Sequence, residues 1–424
     1  MSKNQDEQIK SGDNSNAPLD SSAPEHNNAR PSLLDWMELR IGWTGFIRKN
    51  LDEPMPPGVG WWQALGNLLL TLLMFQFITG VALAMFYAPT PDHAYQSVKH
   101  ISDYVWLGVF IRRLHHWGSS VIVVVVILHI LRVVFWGSYK KPRELTWMIG
   151  VLILPVILGF AFTGYLLPWD QKAYWATKVG TRMAETMPFF GKSLMYLLRG
   201  GAQVGAMTLT RFYAVHILIL PIALVGLSAF HLYLVRHHHI SGPVVPQKGT
   251  PAPFYPVQLA RDSVVVLVAA GILVSLALFN RTGLSVVANP IQVNSAPRPE
   301  WYFLGLFELL KLIPPKLEVL GTIVTPAGII IGLLMLPWLD RSNSRHPAKR
   351  GWIIDITLFV VLGLGALTLK GLLDEPPAVS NNKPVQPAVK TLSTPAASSL
   401  SASPASRRGG VANSVPAELP LLSR

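Results

Sequence analysis

From Trp61 to Pro89 the chain carries no Asp, Glu, Lys or Arg, and the same holds from Leu145 to Pro168 and from Phe212 to Val235. A helix rises about 1.5 Å per residue, so each run is long enough to cross ~30 Å of hydrocarbon. Seven such spans are predicted, at about 61–87, 117–136, 145–167, 209–235, 263–280, 319–339 and 352–372. A composition of 50% hydrophobic and 14% charged residues agrees with an all-α membrane protein.

Net charge is +13, yet the cations sit in the loops between apolar spans and form no single basic face, which argues against nucleic-acid binding. The loop at 138–144 holds Lys140, Lys141 and Arg143, and the loop at 340–351 holds Arg341, Arg345, Lys349 and Arg350. Short basic loops stay cytoplasmic, so the N-terminus is expected inside and the C-terminus outside; the longer 168–208 loop is also basic but obeys that rule poorly. No secretory signal precedes Trp61. The tail within 1–60 opens with a polar stretch expected to be disordered. An interfacial amphipathic helix follows, in which Leu33, Leu34, Trp36, Met37, Ile41, Trp43 and Phe46 recur among Arg40, Arg48 and Lys49. The Pro/Ala/Ser-rich stretch at 374–424 reads as a flexible tail.

The chain has no cysteine, which excludes disulfides, thiolate metal sites, an iron–sulfur cluster held by this chain and thioether attachment of a haem. A redox metal here must use histidine. His115 and His129 are 129 − 115 = 14 residues apart, and His216 and His231 are 231 − 216 = 15 apart. Both intervals are close to four helical turns, so each helix presents two imidazoles on nearly one face, ~21–23 Å apart along the axis. Two such helices side by side make two stacked bis-imidazole sites, the arrangement that holds a porphyrin for electron transfer. A lone membrane histidine is as readily a structural hydrogen-bonder; two matched pairs are hard to explain that way. His116 would point about 100° away from His115. The run His237–His239 ends a helix in a basic stretch, where the membrane interface explains it better than a metal.

Gly66 and Gly80 lie 14 apart (80 − 66), as do Gly150 and Gly164 (164 − 150). Glycine leaves room where a flat macrocycle lies against a helix, although small residues also serve plain helix packing. Arg112, three before His115, and Arg132, three after His129, can pair with haem propionates or snorkel to headgroups.

Five segments, R-R-L-H-H-W-G-S-S (112–120), L-H-I-L-R (128–132), G-Y-L-L-P-W-D-Q (164–171), L-T-R-F-Y-A-V-H (209–216) and R-P-E-W-Y (298–302), resemble in order the cytochrome b family of quinol:cytochrome c and plastoquinol:plastocyanin reductases. The 15-residue interval and K-K-P-R-E-L-T-W (140–147) resemble the plastoquinol branch, there divided into four-helix and three-helix polypeptides. The resemblance implies a four-helix haem-binding bundle (61–242) followed by a three-helix quinol-site domain (243–373). His115 and His216 would ligate the outer of two non-covalent b haems and His129 and His231 the inner, with Arg211 nearby. That branch ties an extra haem to a cysteine where Ala64 stands here, so no covalent haem is expected.

By the same resemblance the P-E-W-Y segment forms an outer quinol-oxidation site. A carboxylate in that apolar setting suits Glu300 to accept a proton, with Tyr302, Tyr165, Trp169 and Tyr174 lining the pocket; an interfacial Glu is the bland alternative. Asp262 resembles a proton-delivery position of the inner quinone-reduction site, or is a helix N-terminal acid favoured by the dipole. One quinol electron would go to a Rieske-type iron–sulfur protein and on to a c-type cytochrome or another high-potential acceptor. The other would cross both haems to quinone, and the proton traffic would build a gradient. The implied assembly is a homodimer within a multisubunit membrane complex. A dihaem anchor of a dehydrogenase or hydrogenase is the alternative, though it has no need of R-P-E-W-Y. A haem-free transporter would leave both intervals as coincidence.

Overall fold

The computed structural model describes residues 32–292 and 298–374, and the terminal tails expected from composition fall outside the described residues. The first elements are α1 (Leu33–Ile41) and α2 (Trp43–Leu51), separated by Gly42 at φ 64. Ser32 caps α1, its hydroxyl accepting from the Asp35 amide at 3.1 Å. Leu33, Leu34, Leu39, Ile41, Phe46 and Ile47 are exposed on the pair, as an interfacial helix requires.

Seven helical stretches are long and apolar enough to span a membrane, and the protein is an integral membrane protein. In chain order the elements are α3 (Ala64–Ala84), α4 (Ala94–Asp103), α5 (Gly108–Phe135), α6 (Glu144–Leu166), α7 (Gln171–Glu185), α8 (Gly191–Arg199) and α9 (Ala206–Ala214). A π-turn at Val215–Ile219 joins α9 to α10 (Leu220–His237). There follow α11 (Val257–Phe279), α12 (Trp301–Leu312), a second π-turn at Leu320–Val324, α13 (Thr325–Leu339) and α14 (Gly351–Leu373). The only sheet pairing among the described residues joins β1 (Pro54–Met55) to β2 (Ala252–Pro253), fastening the approach to α3 to the approach to α11.

Two spans begin earlier than their apolar runs predict, because their charged first turns are tied to neighbours. Arg112 donates from Nε to Ser102 Oγ at 2.9 Å and from its terminal nitrogen to the Thr282 carbonyl at 2.6 Å. At the start of α11, Arg261 donates to the Val59 carbonyl at 2.6 Å. The helices α4, α7, α8 and α12 lie between the seven spans read from the sequence; α4, α7 and α8 each bury one side, while residues 301–310 of α12 are all at least partly buried.

The core runs between α3, α5, α6 and α11: Leu65, Leu68 and Leu72 meet Leu114, Ile122 and Val126, with Ile157, Leu273 and Ala277 closing the cluster. Thus α11 packs on α3 and α5, while α12 packs on α14 and α13 leans on α6. The two short basic loops meet at one end of the bundle. There Lys140 pairs with Asp340 at 2.9 Å, Tyr139 donates to the same carboxylate, and Arg350 lies 3.6 Å away with neither of its pair exposed.

Burial opposes the charge of Asp340, but the hydrogen bonds from Tyr139 and Lys140 prevail and hold its carboxyl below the usual carboxylate range. A carboxylate depressed in the fold adds stability above its unfolded pKa and loses it as pH falls through the folded value. Asp340→Ala, which strands Arg350 and Lys140, should therefore destabilise the solubilised protein by about 3–5 kcal/mol. Thermal unfolding against pH checks it: the advantage of wild type over Asp340→Asn should fade below about pH 4.

Candidate functional site

The four histidines stand on α5 and on the continuous helix formed by α9, the first π-turn and α10, and each is half-buried. His115 and His216 lie within electrostatic reach of each other at one level, and His129 and His231 at the other. Behind each ring is a glycine of the adjoining helix. A Cβ on Gly80 would stand 3.2 Å from His115 Cε1 and one on Gly66 3.8 Å from His129 Cε1, both from α3. From α6, a Cβ on Gly150 would stand 3.1 Å from His231 Cε1 and one on Gly164 2.6 Å from His216 Cε1. In each case the side chain nearest the glycine is the imidazole of the neighbouring helix.

Three of the four histidines have a hydrogen-bond partner at Nδ1. Thr79 Oγ1 stands 2.9 Å from the Phe75 carbonyl and 3.0 Å from His115 Nδ1; with its single proton on the carbonyl it accepts from Nδ1. Thr163 Oγ1 likewise donates to the Gly159 carbonyl at 2.8 Å and accepts from His216 Nδ1 at 3.1 Å. His231 Nδ1 donates to the Thr146 carbonyl at 3.0 Å. A proton held on Nδ1 leaves Nε2 with its lone pair, the state a metal ligand needs. Sequence reasoning missed both threonines, although the dipeptide Thr-Gly at 79–80 and again at 163–164 was a visible signal.

The unequal intervals also reconcile. At about 100° per residue, 14 residues leave two side chains about 40° apart in one sense and 15 leave them about 60° apart in the other. His216 sits in the π-turn, which takes one extra residue into a single turn and returns 15 residues to the register of 14. Pro221 explains the turn's location: with no N–H and a ring that crowds the preceding turn, it disrupts the ladder just there. The second π-turn stands in the same relation to Pro326.

At the His115/His216 end, α6, α7, the start of α12 and the second π-turn enclose a cavity of about 410 Å³ whose lining includes Tyr165, Met183, Glu300, Tyr302, Phe307 and Thr322. Tyr165 Oη is buried with no partner among the described residues. Burial holds the Glu300 carboxyl above the usual carboxylate range, with Lys172 opposing and Asp170 adding to the rise; burial and Glu300 together push the Tyr302 phenol up. Trp169 and Tyr174 are not in that lining. They are buried with Leu166, Val204, Leu209 and Phe212, because the adjacent Asp170 and Gln171 fasten α7 and the 285–292 segment: Asp170 accepts from the amides of Ala173 at 2.9 Å and Ser285 at 3.0 Å, and Gln171 donates to the Gln292 carbonyl at 2.7 Å.

At the other end, Arg132 is buried, donates to the Ser241 carbonyl at 3.2 Å and keeps Nε without a partner. Arg211 is turned toward α8, where it donates to the Leu197 carbonyl. Asp262 lies beyond the first turn of α11, outside the place a helix N-terminal acid would take; its carboxylate accepts from Asn67 and, at 2.8 Å, from Gln258, joining α11 to α3 beside Gly66.

Residues 50–239 match the family Cytochrome b/b6/petB, and residues 287–382 match Cytochrome b(C-terminal)/b6/petD. The cytochrome b of Allochromatium vinosum is 36% identical over 343 residues, covering 75% of this chain and 82% of that one. The chain belongs to the cytochrome b family. The menaquinol:cytochrome c reductase cytochrome b subunit of Geobacillus thermodenitrificans is 43% identical over 220 residues, 50% of this chain and 98% of that relative. A solved structure described as a hyperthermophilic respiratory complex III superposes with a TM-score of 0.73 at 28% identity, covering 81% of this chain and 92% of that one. A cytochrome b implies haem b, and two features fit it: four imidazoles facing glycines, three of them hydrogen-bonded at Nδ1, and a buried arginine whose Nε has no partner among the described residues.

Gly164→Ala should cost the most bound haem, Gly150→Ala and Gly80→Ala less and Gly66→Ala least, following the four Cβ–ring distances; protohaem per polypeptide by pyridine haemochrome checks the order. Deleting Leu218 should be tolerated, since the π-turn relaxes to α-helix, whereas deleting Gly226 should rotate His231 by about 100° and remove the inner site from the reduced spectrum.

Proposed function

We propose that this cytochrome b is the dihaem subunit of a quinol:cytochrome c type oxidoreductase, a four-helix haem bundle followed by a three-helix quinol-site part. The observation that carries the reading is the pair of two-histidine levels, each ring backed by glycine from α3 or α6. His115 and His216 would hold the outer haem and His129 and His231 the inner, with Arg132 facing propionate at the inner level and Arg112 at the outer. When bound, the haems supply one-electron carriers at two depths of the membrane.

The cavity at Glu300 takes the head group of a lipid quinol, the substrate class named for the Geobacillus relative. Oxidation releases two electrons and two protons. Glu300 in its anionic form accepts one proton, its basicity raised by burial, and the second is released on the outer side, while Tyr165 Oη and Tyr302 orient the quinol oxygens from the cavity wall. Asp262, at the level of Gly66 and His129, stands where a quinone would be reduced on the inner side. The basic loops at 138–144 and 340–351 face the cytoplasm, which puts Glu300 outside, the N-terminus inside and the C-terminus outside. The high-potential electron leaves through a Rieske-type iron–sulfur protein to a c-type cytochrome or equivalent subunit, in a dimeric membrane complex. A dihaem anchor of a dehydrogenase or hydrogenase would share the histidines, but it gives no reason for a carboxylate-lined cavity on α12.

Redox titration of the purified complex should resolve two b-type components, one of which is lost in His129→Leu or His231→Leu; a single component in wild type overturns the dihaem reading. The quinol-oxidation rate should rise with pH as Glu300 ionises, with a midpoint above the usual carboxylate value. Glu300→Gln should abolish that acid limb and slow turnover by about 10²-fold or more.

A further inference from the structure

The helix α12 has two faces with different work. Tyr302, Phe303, Leu306 and Phe307 line the cavity, while Leu304, Gly305 and Glu308 are buried on the side of α14. The seam with α14 is close from both directions. A Cβ on Gly305 would stand 2.7 Å from the Leu364 carbonyl oxygen and 2.8 Å from Thr368 Oγ1; one on Gly371 would stand 2.6 Å from Leu304 Cγ and 2.9 Å from Glu308 Cγ. In this seam the Glu308 side chain is only 1% exposed, yet it lines no part of the cavity.

Its carboxylate accepts from Lys311 on its own helix and from Lys370 of α14 at 2.8 Å. Lys370 pairs in turn with Asp374 at 3.0 Å, and Arg298, two residues before Glu300, donates to the carbonyls of Gly371 and Asp374. A carboxylate buried this deeply is tolerated only while paired, so the distance between the helices is set by a charge-assisted hydrogen bond. We propose that Glu308 is a positioning residue for the quinol cavity, locking α12 to α14 through Lys370 and so fixing where the binding wall of Tyr302, Phe303 and Phe307 stands. This rests on the quinol reading of the cavity.

The test uses the purified complex with menadiol as donor and cytochrome c as acceptor. Glu308→Ala should raise the KM for menadiol about three- to tenfold while kcat changes less than about twofold, the signature of altered binding with the chemistry intact. Glu308→Gln, still able to accept from one lysine, should restore part of the loss. Lys370→Met removes the link from Glu308 to α14, together with the Lys370–Asp374 pair at the end of α14, and leaves Lys311 to compensate the carboxylate, so it remains informative where Glu308→Ala does not assemble, and it should raise KM in the same direction. An unchanged KM in an assembled Lys370→Met complex, or a fall in kcat with KM unchanged, overturns the proposal. Glu300→Gln measured alongside separates the two ideas. If it slows turnover while the Glu308 and Lys370 variants match wild type, the lock fails and the quinol reading stands; if it has no effect, the quinol reading fails and takes the lock with it.

Discussion

The rest of the structure depends on the close approach of α6 to the helix that carries His216 and His231, where Gly164 and Gly150 lie under imidazoles; on α3 the contact is tight at Gly80 and ordinary at Gly66. At Gly164 an added methyl would stand 2.6 Å from His216 Cε1, inside any tolerable contact, so the helices can have their spacing only with that residue or a displaced ring. Each close contact sets one side of a histidine, and at His115, His216 and His231 a partner at Nδ1, Thr79, Thr163 or the Thr146 carbonyl, comes from the same helix. Position and tautomer are therefore set by the same neighbouring helix. That is the preorganisation a metal ligand needs, since a ring free to rotate gives up affinity each time it is immobilised.

The two ends of the bundle differ in how they treat charge. At the end with the basic loops, Asp340, Lys140, Arg350 and Tyr139 satisfy one another, and that network ties the α13–α14 connection to the end of α5. At the opposite end the Glu300 carboxyl is left in a mostly apolar cavity, with only the more distant Lys172 to favour its charge. A compensated carboxylate stays ionised and holds structure together. An uncompensated one keeps its proton to higher pH and can exchange it.

Hydrophobic runs made the seven spans legible, and the intervals between histidines and between glycines made the four-ring core legible, because periodicity maps directly onto helix faces. Other features were hidden for definable reasons. Arg112 and Arg113 made the first turns of α5 look like loop, since a sequence does not reveal that Ser102, Thr282 and Ala277 accept from them. Short helices such as α4 and α7 bury one side only, and their charged residues read as loop composition. Trp169 and Tyr174 were placed in the cavity for being aromatic and adjacent in sequence to Tyr165, yet Trp169 turns at φ 52 and both enter a separate core cluster. Arg211 fell near a ligand in sequence but is spent on the end of α8.

The sequence by itself determined that the chain carries seven apolar runs long enough to cross a membrane as helices and which histidines and glycines share an interval, because apolar length and helical periodicity are properties of the chain alone. Tertiary structure alone decided that each glycine opposes an imidazole, that hydroxyls and a carbonyl on neighbouring helices choose the proton-bearing nitrogen, that a π-turn absorbs the fifteenth residue, and that Glu308 meets Lys370 across α12 and α14. Those outcomes depend on distances between segments far apart in sequence, and no local pattern encodes such a distance until the helices have packed.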